Sequence, residues 1–333
     1  MPSHVRKETD IPGTDLLAYQ LVELIRQHSS PLEPASTGLQ PVLKKLPDVR
    51  AVLFDIYGTL FVSGSGDIGL TSDQQRAEAF VKALQAVGLE WKDEAGEEGA
   101  CLLRRCIEEE HERLRAQGVE YPEIEILEIW KKTLNLLVAA GKISSSQRKK
   151  TKDGSAAEMV VEPDRLRRLA VHFELAVNPV WPMPECACTL ETLKAKGMVL
   201  GVVSNAQFFT PLLFPALLGK SLTELGVAPS LRLFSFEHRQ AKPGTFLYKQ
   251  AKTVLQRDFG IQPQQVLYVG NDMKNDVAAA AAVGFRTALF AGDQRSLRLR
   301  EQDEMVQGVK ADVVVTSLAQ LVECVSEEKS NDG

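Results

Sequence analysis

The stretch Val49 to Asp55 constrains this chain more than any other. It is apolar apart from Arg50, has the length of one strand, and stops at an acid that is soon followed by Gly58 and Thr59. Three later stretches repeat that design. Val199 to Val203 ends at Ser204-Asn205, Leu231 to Phe236 precedes Lys242-Pro243, and Val266 to Val269 ends at Gly270-Asn271-Asp272. Ala311 to Val315 supplies a last strand. Helix-patterned stretches separate them, at Cys188 to Ala195, Gly244 to Gln256 and Asn275 to Val283. Short buried strands alternating with helices predict an α/β fold built on a doubly wound parallel sheet. Ligands of such sheets lie beyond the carboxyl ends of the strands. Each polar cluster named above falls at such an end.

Between the first and second strands the texture changes for more than a hundred residues. Thr71 to Val87, Glu94 to Gln117, Ile124 to Ala140 and Glu162 to Leu175 carry helical periodicity with almost no strand signal. We expect a helical insertion over 67–181, dividing a core domain into 48–66 and 182–325. Its Lys- and Ser-rich stretch Ile143 to Ala156 reads as a mobile loop. Residues 1–47 form an extension in which Leu16, Leu17, Leu21, Leu24 and Ile25 recur at helical spacing. Three prolines then mark Ser29 to Pro41 as a linker. The extension's helix could cover its own core or pair with a second copy in a homodimer. Residues 326–333 read as a disordered tail.

The balance of charge narrows the partners. With 333 residues, a net charge of −5 and a pI near 5.7, the chain has no general attraction for nucleic acid or an anionic membrane. An anionic small molecule must therefore meet a local positive site. The apolar runs are strand-sized, well short of the ~20 residues that span a bilayer. Met1 to Asp10 is polar and lacks the core of a signal peptide. Five irregularly spaced cysteines suit a reducing compartment, so cytoplasm is the expected location. Cys186 and Cys188 are the one close pair, read as free thiols at a helix start.

The ordered polar clusters resemble a known family. Asp55-Ile56-Tyr57-Gly58-Thr59-Leu60 resembles the first motif of the haloacid dehalogenase-like hydrolases. Ser204-Asn205, Lys242-Pro243 and the segment with Asp272 and Asp276 resemble the second, third and fourth. Each motif alone is weak, but the set in family order is specific, and the insertion stands where that family carries its cap. The resemblance runs over roughly 49–320 and implies a Rossmann-like core with an α-helical cap. It implies Asp55 as a covalent nucleophile, whose ester with substrate water then hydrolyses, splitting one hard step into two. It further implies that Thr59 orients Asp55, that Ser204 donates to a substrate oxygen beside Asn205, and that Lys242 neutralises charge on nucleophile and substrate. The turn with Gly58, small at its side chain, would let backbone N–H groups face the substrate.

Two departures pull the expected chemistry apart. Phosphatases of the family have an acid two residues after the nucleophile, as general acid and base. Tyr57 stands there, as in the dehalogenases proper, and a phenol with a reference pKa of about 10 is a poor base at neutral pH. The fourth motif points the other way. Asp272 and Asp276 have the spacing of magnesium-dependent members, which implies Mg²⁺ held by Asp55, the backbone carbonyl of Tyr57, Asp272 and Asp276. Asn271 competes with Asp272 for the first position if the motif is anchored on Gly270. The leading expectation is a Mg²⁺-dependent phosphatase for a small phosphate ester or anhydride. The alternatives are a metal-free 2-haloacid dehalogenase and a non-catalytic binding module of the same fold.

Overall fold

The computed structural model describes residues 16–65, 72–92, 95–144, 148–149, 158–159 and 161–325. Residues 66–71, which contain the expected boundary between core and insertion, most of 143–156 and the tail at 326–333, on which expectations were placed, lie outside the described residues.

The core is a sheet of six parallel strands. In chain order its members are β1 (Ala51–Phe54), β6 (Val199–Ser204), β7 (Val227–Phe234), β8 (Val266–Gly270), β9 (Arg286–Phe290) and β10 (Val313–Val315), arranged β10-β9-β8-β1-β6-β7. The doubly wound parallel sheet is thus present. β1 lies at its centre, with β6 on one side and β8 on the other, so the winding reverses at β1. A crevice opens at that reversal, at the strands' carboxyl ends. Side chains alternate across the sheet. Val52 and Phe54 enter one apolar core, whereas Ala51 and Leu53 enter another on the opposite face. The first core holds α6 (Cys186–Ala195) and α10 (Ala319–Cys324); the second holds α8 (Phe246–Phe259) and α9 (Ala279–Ala281). Both faces are therefore covered, which is why these strands are apolar throughout rather than alternating.

The extension packs on its own chain. Helix α1 (Leu16–His28) buries Leu21, Leu24 and Ile25 in the first core. The proline-rich stretch after it is tied to the sheet rather than free. Ala35 N donates to Asp293 Oδ1 at 2.9 Å, Thr37 Oγ1 to Ala291 O at 2.9 Å, and Val42 pairs with Val314 of the edge strand β10. The composition of a linker marks absent helix and strand propensity, and it says nothing about a backbone that borrows partners from a sheet edge.

The inserted segment forms a helical module with its own core. It comprises α2 (Asp73–Ala86), α3 (Ala95–Ala116), α4 (Ile126–Ala139) and α5 (Pro163–Val177), close to the periods read from the sequence. Ser72 caps α2 in a capping box with Gln75. Trp130 is fully buried and stacks on Phe80 with 5.2 Å between ring centroids. Strand pairing was not expected here, yet β5 (Val180–Pro182) pairs antiparallel with β2 (Phe61–Ser63), and β3 (Arg148–Lys149) pairs with β4 (Glu158–Met159). Elements of two or three residues carry no readable periodicity. The β2–β5 ribbon makes the two inter-domain crossings one paired connection. Among the described residues, no helix is long and apolar enough to cross a membrane.

Trp130→Ala should remove about 3–5 kcal/mol of stability, because a buried indole and its stacking contact leave a cavity. Denaturant midpoints measure the loss, and limited proteolysis should show cleavage within 73–177 before the sheet is cut.

Candidate active site

Asp55 follows β1 directly, and its N–H donates to Val269 O at 2.9 Å, which seats it over the reversal crevice. The third-motif lysine comes to it from the loop before α8. Lys242 Nζ donates to Asp55 Oδ1 at 2.7 Å and to Asp276 Oδ1 at 2.6 Å. All three residues are buried. Burial alone would push the Lys242 ammonium's pKa down, but Asp276 and Asp55 overcome it and hold it up at about 12. Burial and the neighbouring Asp55 and Asp272 charges push Asp276 up to about 7 against the pull of Lys242. One cation thus serves two carboxylates, and the site remains short of positive charge.

Lys242 is placed by Asn205. Lys242 N donates to Asn205 Oδ1 at 2.8 Å, and Asn205 Nδ2 donates back to Lys242 O at 3.2 Å. The second motif therefore acts through its asparagine on the third. Ser204 is fully buried, and its hydroxyl donates to Asn205 O at 3.3 Å; the cavity wall carries Asn205. The first-motif turn differs from expectation in a similar way. Thr59 Oγ1 donates to Asn271 Oδ1 at 3.0 Å, so it braces Asn271. Gly58 has φ +82°, and a Cβ there would stand 2.6 Å from Ser296 Cβ and 2.7 Å from Asn271 Nδ2. Its smallness is required by these protein neighbours, and its N–H donates to Phe61 O at 2.7 Å.

The fourth motif carries one residue more than a tight turn holds. Met273–Ala278 forms a π-helical turn, the wide i→i+5 geometry that absorbs an extra residue and recurs at functional sites. Asn271 accordingly follows β8 closely enough to meet Thr59, while Asp276 folds back under Gly270 to reach Lys242. Asp276 Oδ2 also accepts from Asp272 N at 2.9 Å. Asp272 sits between them in sequence but turns away. Its Oδ1 accepts from Lys274 N at 2.8 Å and Asn275 N at 3.1 Å, and its Oδ2 accepts from Arg300 Nη2 at 2.6 Å.

The site opens into one cavity of about 260 Å³, to whose wall the helical module contributes. Asp55, Tyr57, Asn205, Lys242, Asn271, Asp272 and Asp276 all reach its wall. The same wall holds residues that no motif marks: Arg298 and Arg300 from the loop after β9, and Glu123, Glu174 and Asn178 from the helical module. Glu123 accepts from Ser235 Oγ at 2.7 Å and Gln207 Nε2 at 3.2 Å, and burial raises its pKa. The Tyr57 hydroxyl lies 2.9 Å from Thr210 Oγ1. Burial and then the Glu174 charge push its pKa well above that of an ordinary phenol, so it stays neutral. Nothing in the sequence singles out Glu123, in the loop before α4, or Glu174, because an acid on an amphipathic helix such as α5 looks like a solvated face.

The donor set does not fit the magnesium site that the motifs implied. Both oxygens of Asp276 accept from the protein, and both oxygens of Asp272 do so as well. Among the described residues, no three His, Cys, Asp or Glu side chains cluster so as to hold a metal ion. Mg²⁺ requires near-octahedral oxygen donors, and here the carboxylates are satisfied by Lys242, Arg300 and backbone N–H groups instead.

Known proteins match this chain as follows. The family model described as haloacid dehalogenase-like hydrolase matches residues 49–284. A phosphoglycolate phosphatase of Haemophilus influenzae is 37% identical over 108 residues, covering 30% of this chain and 41% of its own length. A ribulose-1,5-bisphosphate 5-phosphatase of Halopiger xanaduensis is 27% identical over 146 residues, covering 43% of this chain and 56% of its own length. The chain thus spans about half the length of these curated relatives. Among solved structures, a 2-haloacid dehalogenase from Pseudomonas syringae is similar with a TM-score of 0.44 and 20% identity, over 83% of this chain and 97% of that one. The six-stranded core, the motif residues gathered at its reversal point and the match over 49–284 together make this chain a member of the haloacid dehalogenase-like hydrolases.

Proposed function

We propose that this hydrolase cleaves a small phosphate ester through an aspartyl-phosphate on Asp55. The observation that carries the reading is the pairing of Lys242 with both Asp55 and Asp276 at the wall of one cavity. A phosphate ester brings up to two negative charges. Lys242 offsets the charge on Asp55 as the two anions approach, and a fixed, desolvated cation is worth more there than in water. Asp55 attacks phosphorus, the ester oxygen departs, and water then cleaves the acyl phosphate. Arg298 and Arg300 add positive charge to the same wall, on the side away from Lys242 in sequence and strand order. Two curated relatives named as phosphatases support this reading over the dehalogenase alternative, which Tyr57 favours. The carboxylates of Asp272 and Asp276 are engaged by the protein, so Lys242 is the cation that meets Asp55 directly.

Asp55→Asn should abolish turnover while leaving circular dichroism and the thermal midpoint near those of the parent, since the amide keeps the shape and removes the nucleophile. Phosphate release from a panel of phosphorylated metabolites measures it, with chloride release from 2-chloropropionate in parallel. Chloride without phosphate would replace this reading by the dehalogenase. Lys242→Met should remove turnover and also about 3–5 kcal/mol of stability, because Asp55 and Asp276 are left buried without a cation. The sign with pH follows from Asp276, whose folded-state pKa is raised. Protonation relieves the repulsion, so urea midpoints should show a larger deficit at pH 8 than at pH 5.

A further inference from the structure

Tyr57 occupies the position at which a phosphatase of this family would need an acid, and its neutral hydroxyl is committed to Thr210. The leaving oxygen still needs a proton, and three other acids line the cavity with raised pKa values: Asp276, Glu123 and Glu174. Asp276 has both oxygens bound, by Lys242 and by the N–H of Asp272. Glu123 likewise accepts from Ser235 on one oxygen and from Gln207 on the other. Glu174 differs. It lies in the last turn of α5, on the cavity wall with Asp55 and Tyr57.

Its Oε1 accepts from Asn178 Nδ2 at 3.3 Å. Asn178 is itself oriented, since its Oδ1 accepts from Ser63 Oγ at 2.7 Å and Ser65 Oγ at 2.9 Å. Among the described residues, no donor is bonded to Glu174 Oε2, and the residue forms no salt bridge. Glu174 also lines a small second cavity together with the apolar Ile25, Val171, Phe209 and Leu213.

We propose that Glu174, supplied by the helical module, is the acid–base group of the hydrolysis. This rests on the reading of Asp55 as nucleophile toward a phosphate ester. As the bond from Asp55 Oδ to phosphorus forms and the phosphorus–ester oxygen bond breaks, the Glu174 carboxylic acid gives its proton to the departing oxygen, releasing an alcohol. The resulting carboxylate then takes a proton from the water that attacks the aspartyl-phosphate. Hydrogen phosphate leaves, Asp55 regains its carboxylate, and Glu174 is again protonated.

The surroundings suit that cycle. Burial pushes the Glu174 carboxyl up to about 7, against the hydrogen bond from Asn178. A group that titrates near the working pH exchanges protons in both directions. The titratable group that faces it from the first-motif turn is Tyr57, which stays neutral. Elsewhere on α5, His172 feels the charges of His28 of α1 and of Arg168, and Asp164, Arg165 and Arg167 lie toward the helix's other end.

The experiment compares the wild type with Glu174→Gln on p-nitrophenyl phosphate, whose leaving group needs no proton, and on phenyl phosphate, whose leaving group does. The parameter kcat/KM reports phosphoryl transfer alone. For the variant it should stay within about threefold on p-nitrophenyl phosphate and fall on the order of 10²-fold on phenyl phosphate. The wild-type kcat/KM on phenyl phosphate should decline above pH about 7, where Glu174 loses its proton, and the variant should lack that limb. Because the second step also loses its base, the variant should release p-nitrophenol in a burst and retain a phosphorylated Asp55. Equal losses on both substrates with an unchanged pH profile would make Glu174 a packing residue and overturn the proposal, as would no loss on either. A wild type that releases phosphate from neither ester would instead overturn the phosphatase reading, and this proposal with it. Thermal midpoints of both proteins at pH 6 and 8 exclude misfolding as the cause.

Discussion

A single ammonium group holds the site together. Lys242 Nζ reaches Asp55 at the end of β1 and Asp276 beneath the end of β8, at 2.7 and 2.6 Å. Two neighbouring strands of a parallel sheet present their carboxyl ends side by side, so acids placed there repel one another. The lysine makes that juxtaposition tolerable. Its own position depends on the reciprocal bonds with Asn205 at the end of β6. Three strands are thereby joined through one side chain and one backbone segment. Tyr268, inside β8, adds its hydroxyl 3.2 Å from Asp276 Oδ1 and 2.9 Å from Val203 O. This core polar network is closed on itself, and buried networks of that kind hold a geometry as firmly as they hold a charge.

Much of this was legible in the sequence, for a reason that also explains what was not. Strand ends are visible because an apolar run must stop where the backbone leaves the sheet. Asp55, Asn205, Lys242, Asp272 and Asp276 each announce themselves by following such a run. The four helices of the inserted module were visible through their period. What cannot be read is the direction in which a side chain turns after the strand ends. Thr59 braces Asn271 and Asp272 caps its own turn against Arg300, because a π-helical turn shifts the register by one residue. The choice between Asn271 and Asp272 was a choice about backbone geometry, and spacing alone does not contain it. Arg298, Arg300 and Glu174 were invisible for a different reason. They reach the cavity from a loop and a helix end whose local pattern has no relation to the strands they face.

The cavity also shows how a shared core can be given a private chemistry. Its floor is built by the sheet ends and changes little without losing the fold. Its opposite wall comes from the inserted helices, which have their own apolar core around Trp130 and Phe80. Polar substitutions on that wall alter the cavity's proton inventory and shape while the strand ends beneath keep their own network. An acid absent from the first-motif turn can therefore be replaced from across the cavity, since the floor does not care which wall provides it.

The inserted module is joined to the core at places of unequal character. The β2–β5 ribbon is covalent at both ends and paired along its length, with Gly64 N donating to Pro179 O at 2.7 Å. On the far side, a short strap lies across the core: Ala241 N donates to Tyr121 O at 2.8 Å, and Ser235 Oγ donates to the Glu123 carboxylate at 2.7 Å. The first connection is backbone pairing that continues from the chain's own crossings, and the second is made by loop and side-chain contacts alone. The ribbon's Phe61, Val62 and Val180 are themselves part of the first apolar core, while Phe208 of the core packs against the module's cluster near the strap. Helix α1, seated in the sheet's apolar core while its His28 ring meets His172 of α5 edge-on at 4.8 Å, sits close to the ribbon. Because Val171 and Leu175 of α5 share the sheet's apolar core with Ile25 of α1, the module is anchored to the core by packing as well as by the ribbon and the strap, and the cavity wall it supplies is held from three sides.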